Sequence, residues 1–206
     1  GETVPDPLDL PPGQQLDLDA FQTAFRQLFW NIREHDFWKL ERQQTFAEPT
    51  DDSWAAFHDG DWEQALHLIA QRQAVFADDA RRMRAGGFVS YRVRVVEEPL
   101  TPYLQGELHS LRLMGAISDQ IRVVRADLVR AYETARPLPE LICLGPEVTF
   151  EVLYNDAGEL AGAVRHDDTA LTTRCRTVIT GLYAHGEDVG TYFDREVAPL
   201  PPPASR

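Results

Sequence analysis

Residues 88–124 read FVSYRVRVVEEPLTPYLQGELHSLRLMGAISDQIRVV, and this stretch decides the fold. From Phe88 to Val96 β-branched and aromatic residues alternate, with Tyr91, Val93 and Val95 on one side and Arg92, Arg94 and Val96 on the other, which is the period of a strand. Glu98 and Pro99 then end that pattern. Leu100, Leu104, Leu108 and Leu111 recur at one helical turn, which predicts an amphipathic helix over 100–113 with Pro99 in its first turn and Gly115 as its stop. Gln120 to Arg125 reads as a second strand. A strand, helix and strand of this length form a parallel pair through a crossover, so the fold class is α/β.

Working outward, residues 1–15 are rich in Pro, Asp and Gln and read as an extended arm. Residues 16–85 form a helical part with one candidate strand at 37–46, residues 86–195 the sheet domain, and residues 196–206 a stiff, exposed Pro-rich tail, together expected to make one compact unit. In the helical part, Asp17 or Asp19 can cap a helix whose Phe21, Phe25, Leu28, Phe29 and Ile32 face the core or a homodimer seam. The 37–46 segment alternates with period two and suits an edge of the sheet. Trp54 and Phe57 begin a short helix, and Asp61 caps a long one that buries Trp62, Ala65, Leu66, Ile69, Val75 and Phe76 and ends at Gly86-Gly87. Arg81, Arg82 and Arg84 complement the dipole of its last turn.

After the second strand, residues 126–135 read as a short helix and 141–144 as a short strand. Asn155-Asp156-Ala157-Gly158 is a turn sequence between two strand-like runs, so 148–164 is a β-hairpin. Helices are expected over 169–183 and 187–193. The mixed sheet therefore combines a β-α-β crossover with a hairpin.

The chain of 206 residues carries 33 acidic against 20 basic residues, a formal charge of -13, which opposes direct nucleic-acid binding. Lys39 is its single lysine. No apolar run approaches the roughly 20 residues of a membrane helix, and no basic-then-apolar leader opens the sequence, so a cytoplasmic protein that does not enter membranes is expected. Cys143 and Cys175 lack metal-ligand spacing and are expected to be reduced thiols. His35-Asp36, His58-Asp59 and His166-Asp167 resemble the doublets of metal-dependent phosphohydrolases, but they fall in turns and at helix caps rather than on packed helices. No glycine-rich phosphate loop and no nucleophile elbow are present, so neither a cofactor, a metal nor a catalytic set is assigned.

The ionisable residues that the central stretch concentrates are Arg92, Arg94, Glu98, Tyr103, Glu107 and Arg122. Two readings stay open: a structural ion-pair network, because such charges are not buried alone, or a polar ligand pocket.

The run Arg92 to Leu104, followed by Glu107-Leu108 and Ile121 to Val124, resembles an actinobacterial domain family with no established activity. Trp54, Gly60-Asp61-Trp62, Ala65-Leu66, Pro139-Glu140-Leu141, Tyr154 to Gly158 and Gly162-Ala163 are similar to the same family, over roughly residues 35–195. The resemblance implies a small cytoplasmic protein often encoded beside helix-turn-helix regulators. A fainter likeness, in the order of elements, is to half of a phospholipase D domain; its His-x-Lys pair is missing here, so it would imply a non-catalytic relative.

Three functions follow as expectations. The first is a non-enzymatic accessory or regulatory protein that binds a protein partner, a helix-turn-helix regulator being the candidate, and with it a small polar ligand. The second is an enzyme acting on a small polar substrate at the carboxyl end of the sheet. The third is an acidic inhibitor of a basic protein, which would bind with strong salt dependence.

Overall fold

The computed structural model describes residues 8–204. Its frame is one eight-stranded mixed sheet, ordered β1-β7-β6-β5-β2-β3-β4-β8. The strands are β1 Gln14–Asp17, β2 Phe37–Glu41, β3 Ser90–Val96, β4 Gln120–Arg125, β5 Leu141–Leu144, β6 Val148–Tyr154, β7 Leu160–Asp167 and β8 Glu187–Asp188. Only β2, β3 and β4 run parallel to their neighbours among themselves; every other pairing is antiparallel. The helices are α1 Leu18–Trp30, α2 Asp52–His58, α3 Trp62–Ala70, α4 Gln73–Gly86, α5 Pro102–Ile117, α6 Thr169–Ala184 and α7 Val189–Glu196.

The β3-α5-β4 unit is parallel, as the alternation and the leucine spacing require. Its helix begins later than the leucines suggest. Thr101 is extended, as a residue before proline must be, its hydroxyl accepts from the Leu104 amide at 3.2 Å, and Pro102 takes the first turn in place of Pro99. Nor does Gly115 stop α5, which runs on to Ile117. A Cβ at Gly115 would stand 2.7 Å from Val189 Cγ1, so this glycine lets the start of α7 approach the helix.

Other expectations are corrected by long-range pairing. The sheet is not confined to residues 86–195, because β1 and β2 belong to it. The segment expected as 37–46 is a strand only over Phe37–Glu41, and it lies inside the sheet between β5 and β3 rather than at an edge. Residues 1–7 of the expected arm lie outside the described residues; within the rest, Leu8 is buried and Gln14–Asp17 pairs with β7. Gly162 permits that pairing: its φ is +147° and a Cβ would meet Leu16 O at 2.2 Å. The long helix capped by Asp61 is broken at Gln71-Arg72 into α3 and α4, and Val75 is 58% exposed. Residues 126–135 form two 3-10 turns, Ala126–Leu128 and Arg130–Tyr132, instead of a helix. The expected helix at 187 is first a two-residue strand, with Asp188 then capping α7.

Local chemistry explains the elements that agree with the sequence. The carboxylates of Asp17, Asp51, Asp61, Asp168 and Asp188 accept amide hydrogens at the first turns of α1, α2, α3, α6 and α7. Gly87, at φ +76°, closes α4. In the β6-β7 hairpin the Asn155 side chain accepts from the amides of Ala157 and Glu159.

The two faces of the sheet are covered differently. One packs Leu40, Val93, Val95, Val124, Leu141 and Cys143 against Leu171, Cys175, Ile179 and Leu182 of α6. On the other, Phe37, Ile142, Leu144 and Phe150 meet the aromatic stripe of α1, while Val96, Ile121 and Val123 meet α5 and α7. The stripe of α1 thus packs on the sheet, with Phe21 and, just past the helix, Ile32 buried and Phe25, Leu28 and Phe29 half-buried. Between these two clusters the second face is ionic.

Candidate functional site

The ionic part is built from adjacent parallel strands. Glu41 on β2 pairs in register with Arg94 on β3, and Arg92 lies two residues before it, so all three side chains leave the same face of the sheet. Arg94 is fully buried. Its Nε donates to Glu107 Oε1 at 2.7 Å and its two terminal nitrogens to the carbonyls of Gln43 (2.7 Å) and Val95 (3.3 Å). Arg92 donates to Glu41 Oε1 at 2.7 Å, and its own Nε is buried without a partner. Burial alone would push the Glu41 carboxyl up, but Arg92, Lys39 and Arg94 together hold it at about 2.

Tyr103 and Glu107 sit one turn apart on α5, on the side turned toward this network. The Tyr103 hydroxyl lies 2.7 Å from Glu107 Oε2 and 3.1 Å from Glu48 Oε1. A phenol has a single proton, so both carboxylates cannot be full acceptors while ionised. The conflict falls on Glu48. Although that residue as a whole is exposed, its carboxyl is turned in over Tyr103, and partial burial followed by the charge of Glu107 pushes it up to about 7. Glu140 completes the polar layer. Its Oε1 accepts the amides of Arg42, at 2.8 Å, and Gln43, its Oε2 has no partner, and burial with the nearby charge of Glu41 pushes it up to about 7.

This network is one wall of a cavity of about 190 Å³ between α5 and the α2-α3 pair. Arg92, Tyr103, Glu107 and Glu48 line it together with Trp54, Phe57 and Trp62, and Gly106 contributes no side chain to it. Arg72 also reaches this wall, held by Asp51 Oδ2 at 2.8 Å and Asp52 Oδ1 at 3.0 Å. A neighbouring cleft of about 300 Å³ shares Trp54, Phe57, Trp62 and Tyr103 and is bordered by Pro202 and Pro203. The tail there is exposed but anchored, because Gln105 Nε2 donates to the Pro201 carbonyl at 2.6 Å.

Of the six residues singled out in the sequence, the structure brings together Arg92, Arg94, Tyr103 and Glu107. The other two lie elsewhere. Arg122 pairs in register with Val93 and so points to the α6 face, where it donates to the Tyr183 carbonyl at 2.9 Å and stacks over the Tyr183 ring. Glu98 is at the carboxyl end of β3, paired with Arg125 beside a wide opening of about 850 Å³. There Arg42 binds Glu133 at 2.8 Å and Glu97 at 3.2 Å, so these charges at the strand ends are matched among themselves, while Asp127 and Arg130 border the same opening without an ion pair among the described residues.

Sequence reasoning missed Glu48, Asp51, Arg72 and the aromatic wall. Trp54, Phe57 and Trp62 have the spacing of core residues but are only half-buried, because the cavity stands where their neighbours would pack. Among the described residues no cluster of His, Cys, Asp and Glu could hold a metal ion, and no helix is long and apolar enough to cross a membrane. Both cysteines are buried, and burial pushes the Cys143 thiol up to about 12, away from reactivity.

These features define a class: an α/β protein with a mixed sheet, one apolar face, and one face whose buried ion pairs back an aromatic-walled cavity. The chain belongs to the family described as Domain of unknown function (DUF6879), which matches residues 23–194. No curated protein matches it. Among solved structures, the archaeal chromatin protein TrmBL2, described as showing a novel mode of DNA binding, is similar over 87% of this chain and 55% of that one, at 10% identity and a TM-score of 0.38. The chain thus spans about half the length of that protein, and a likeness of this size defines neither fold nor function.

Proposed function

We propose that this is a non-enzymatic accessory or regulatory protein that holds a small polar ligand in the cavity between α5 and the α2-α3 pair and acts through a protein partner. One observation carries the reading: the charges of Arg72 and Arg92 in the cavity wall and of Arg94 behind it are paired with carboxylates, while an open volume, an aromatic wall and the unpartnered Arg92 Nε remain. Arg94 and Arg92 are tied to Glu107 and Glu41, and Tyr103 is held protonated by burial and by the charge of Glu107. None of these three is poised as a base or nucleophile, and Glu48, the one cavity carboxylate held near neutrality, has no nucleophile or second acid-base group hydrogen-bonded to it among the described residues except the protonated Tyr103. The alternative is an enzyme acting on a small polar substrate at the carboxyl end of the sheet, where Arg42, Arg125, Glu97, Glu98 and Glu133 pair among themselves and Asp127 stands exposed at the opening. A helix-turn-helix regulator is the partner that the resemblance to an actinobacterial family suggests, with a cytoplasmic signalling role.

Affinity purification of the tagged chain from its native host, with and without metabolite extract, tests this function. The expected result is a reproducible regulator whose recovery changes with the extract. Recovery of no partner under either condition, or turnover of an extract component by the purified protein, would overturn it.

A further inference from the structure

We infer that the ligand of this cavity is a small organic cation, a primary ammonium ion on an aromatic or aliphatic body, received by Glu48, Glu107 and Tyr103. The inference rests on the ligand-binding reading above and names the chemistry of the ligand. Four observations lead to it.

First, the cations and anions around the cavity do not balance one to one. Arg72 is engaged by Asp51 and Asp52, Arg92 by Glu41 and Arg94 by Glu107. Glu48 is the carboxylate left over: among the described residues no arginine, lysine or histidine lies within ion-pairing distance of it, and its one polar contact is the Tyr103 hydroxyl at 3.1 Å. An ammonium ion carries three donors and no acceptor, which is what two carboxylates and a phenol oxygen can take.

Second, the remaining wall is aromatic and apolar. Trp54, Phe57 and Trp62 from α2 and α3 line it, with Ile69 from α3 and Leu111 and Met114 from α5. Indole and benzene faces attract a cation and accommodate its hydrocarbon body, whereas they offer nothing to a carboxylate or phosphate. Third, the volume of about 190 Å³ suits an amine of a few carbons or one ring, not a nucleotide.

Fourth, the protonation of the free site follows from the same geometry. Facing Glu48 are Tyr103 and Glu107 from α5, Asp51 from the α2 cap, and Glu41 from β2, with Arg72, Arg92 and Arg94 turned to their own partners. With Glu48 at about 7, an arriving ammonium replaces the proton on its carboxyl. Binding releases that proton to solvent, and affinity rises as pH rises from 6 to 8, until the amine itself loses its charge.

The test is calorimetric titration of the full chain at pH 8 with phenethylamine and hexylamine, beside 2-phenylethanol and 3-phenylpropionate as the neutral and anionic counterparts. The expected result is binding of an amine, with the uncharged and anionic probes weaker by about tenfold or more. Glu48→Gln should weaken the amine by a similar factor while melting no lower than the parent, and Gly106→Leu should block the cavity. If the neutral or anionic probe binds as well as the amines, the cation inference fails and the small-ligand reading stands. If no probe binds the folded protein, both fail. If an amine binds equally to parent and Glu48→Gln, the cation is received elsewhere and the inference is overturned.

Discussion

The two faces of β3 carry opposite chemistry within one strand. Val93 and Val95 point toward α6 and join a wholly apolar cluster, while Arg92 and Arg94, one residue out of phase, point toward α5 into a layer of four carboxylates. Both faces are buried, so the difference is not exposure but what holds each together. The α6 face gains from area removed from water, about 25 cal/mol per Å², and tolerates loss of one contact gradually. Across the sheet, the ionic layer between two apolar clusters depends on the pairs Arg94–Glu107 and Arg92–Glu41, because an uncompensated buried charge costs far more than a lost methylene. Both faces thus contribute a buried apolar core, and the α5 side adds to it an ionic layer that backs the cavity.

The strongest way to break this comparison is to truncate one residue on each face. Arg94→Ala strands Glu107 and the Gln43 carbonyl, and a loss of about 3–5 kcal/mol is expected by urea denaturation. Val95→Ala, equally buried, should lose about 2 kcal/mol. Equal losses at the two positions would mean that the ion pairs are not what holds the α5 side.

Glu140 sharpens the contrast through pH. Its folded value of about 7 lies above the ordinary 4.5, so the native state holds the proton more tightly and its contribution to stability falls as pH rises from about 4.5 through 7. The span is on the order of 3 kcal/mol. Glu41, held at about 2, works in the other direction: its contribution is present above about 4.5 and is lost as pH falls toward 2. Glu140→Gln should flatten the alkaline slope of a stability-pH profile and leave the acid limb. An unchanged alkaline slope would remove Glu140 as its source.

Smaller effects separate the cavity from its support. Tyr103→Phe removes the hydroxyl shared by Glu48 and Glu107 and should cost about 1–2 kcal/mol in thermal denaturation. Gly106→Ala should instead gain up to about 1 kcal/mol by the same measurement. Its Cβ would meet Trp62 and Phe57 only at 3.8 and 3.9 Å, so the helix improves while the cavity narrows. A loss of stability there would show that the cavity is tighter than this geometry.

How much of this was legible in the sequence depended on how local each signal is. The hairpin around Asn155 to Gly158 and the β3-α5-β4 unit follow from turn chemistry and periodicity within a few residues. β1 does not, since Gln14 to Asp17 shows little patterning and becomes a strand only because Gly162 lets another backbone come close. The interior position of β2 was hidden for a related reason: alternation identifies a strand but not its neighbours. In the site, Arg92 and Arg94 were legible because charges alternating with valines on a buried strand must find partners. Arg122 misled because its face depends on the register with Val93, and Glu98 because it lies past the strand end. The aromatic wall was unreadable, since spacing alone does not distinguish a filled core from a lined cavity.

The four tryptophans report on the central claim directly. Trp54 and Trp62 line the cavity; Trp38 stacks on Tyr91 at 4.1 Å on the α6 face, and Trp30 lies beside Phe88 under Arg82. Titrating the ¹⁵N-labelled chain with phenethylamine and following the indole N–H signals should shift Trp54 and Trp62 saturably and leave Trp38 and Trp30 in place. Shifts confined to Trp38 or Trp30, or four unmoved signals, would contradict a ligand cavity on the ionic face.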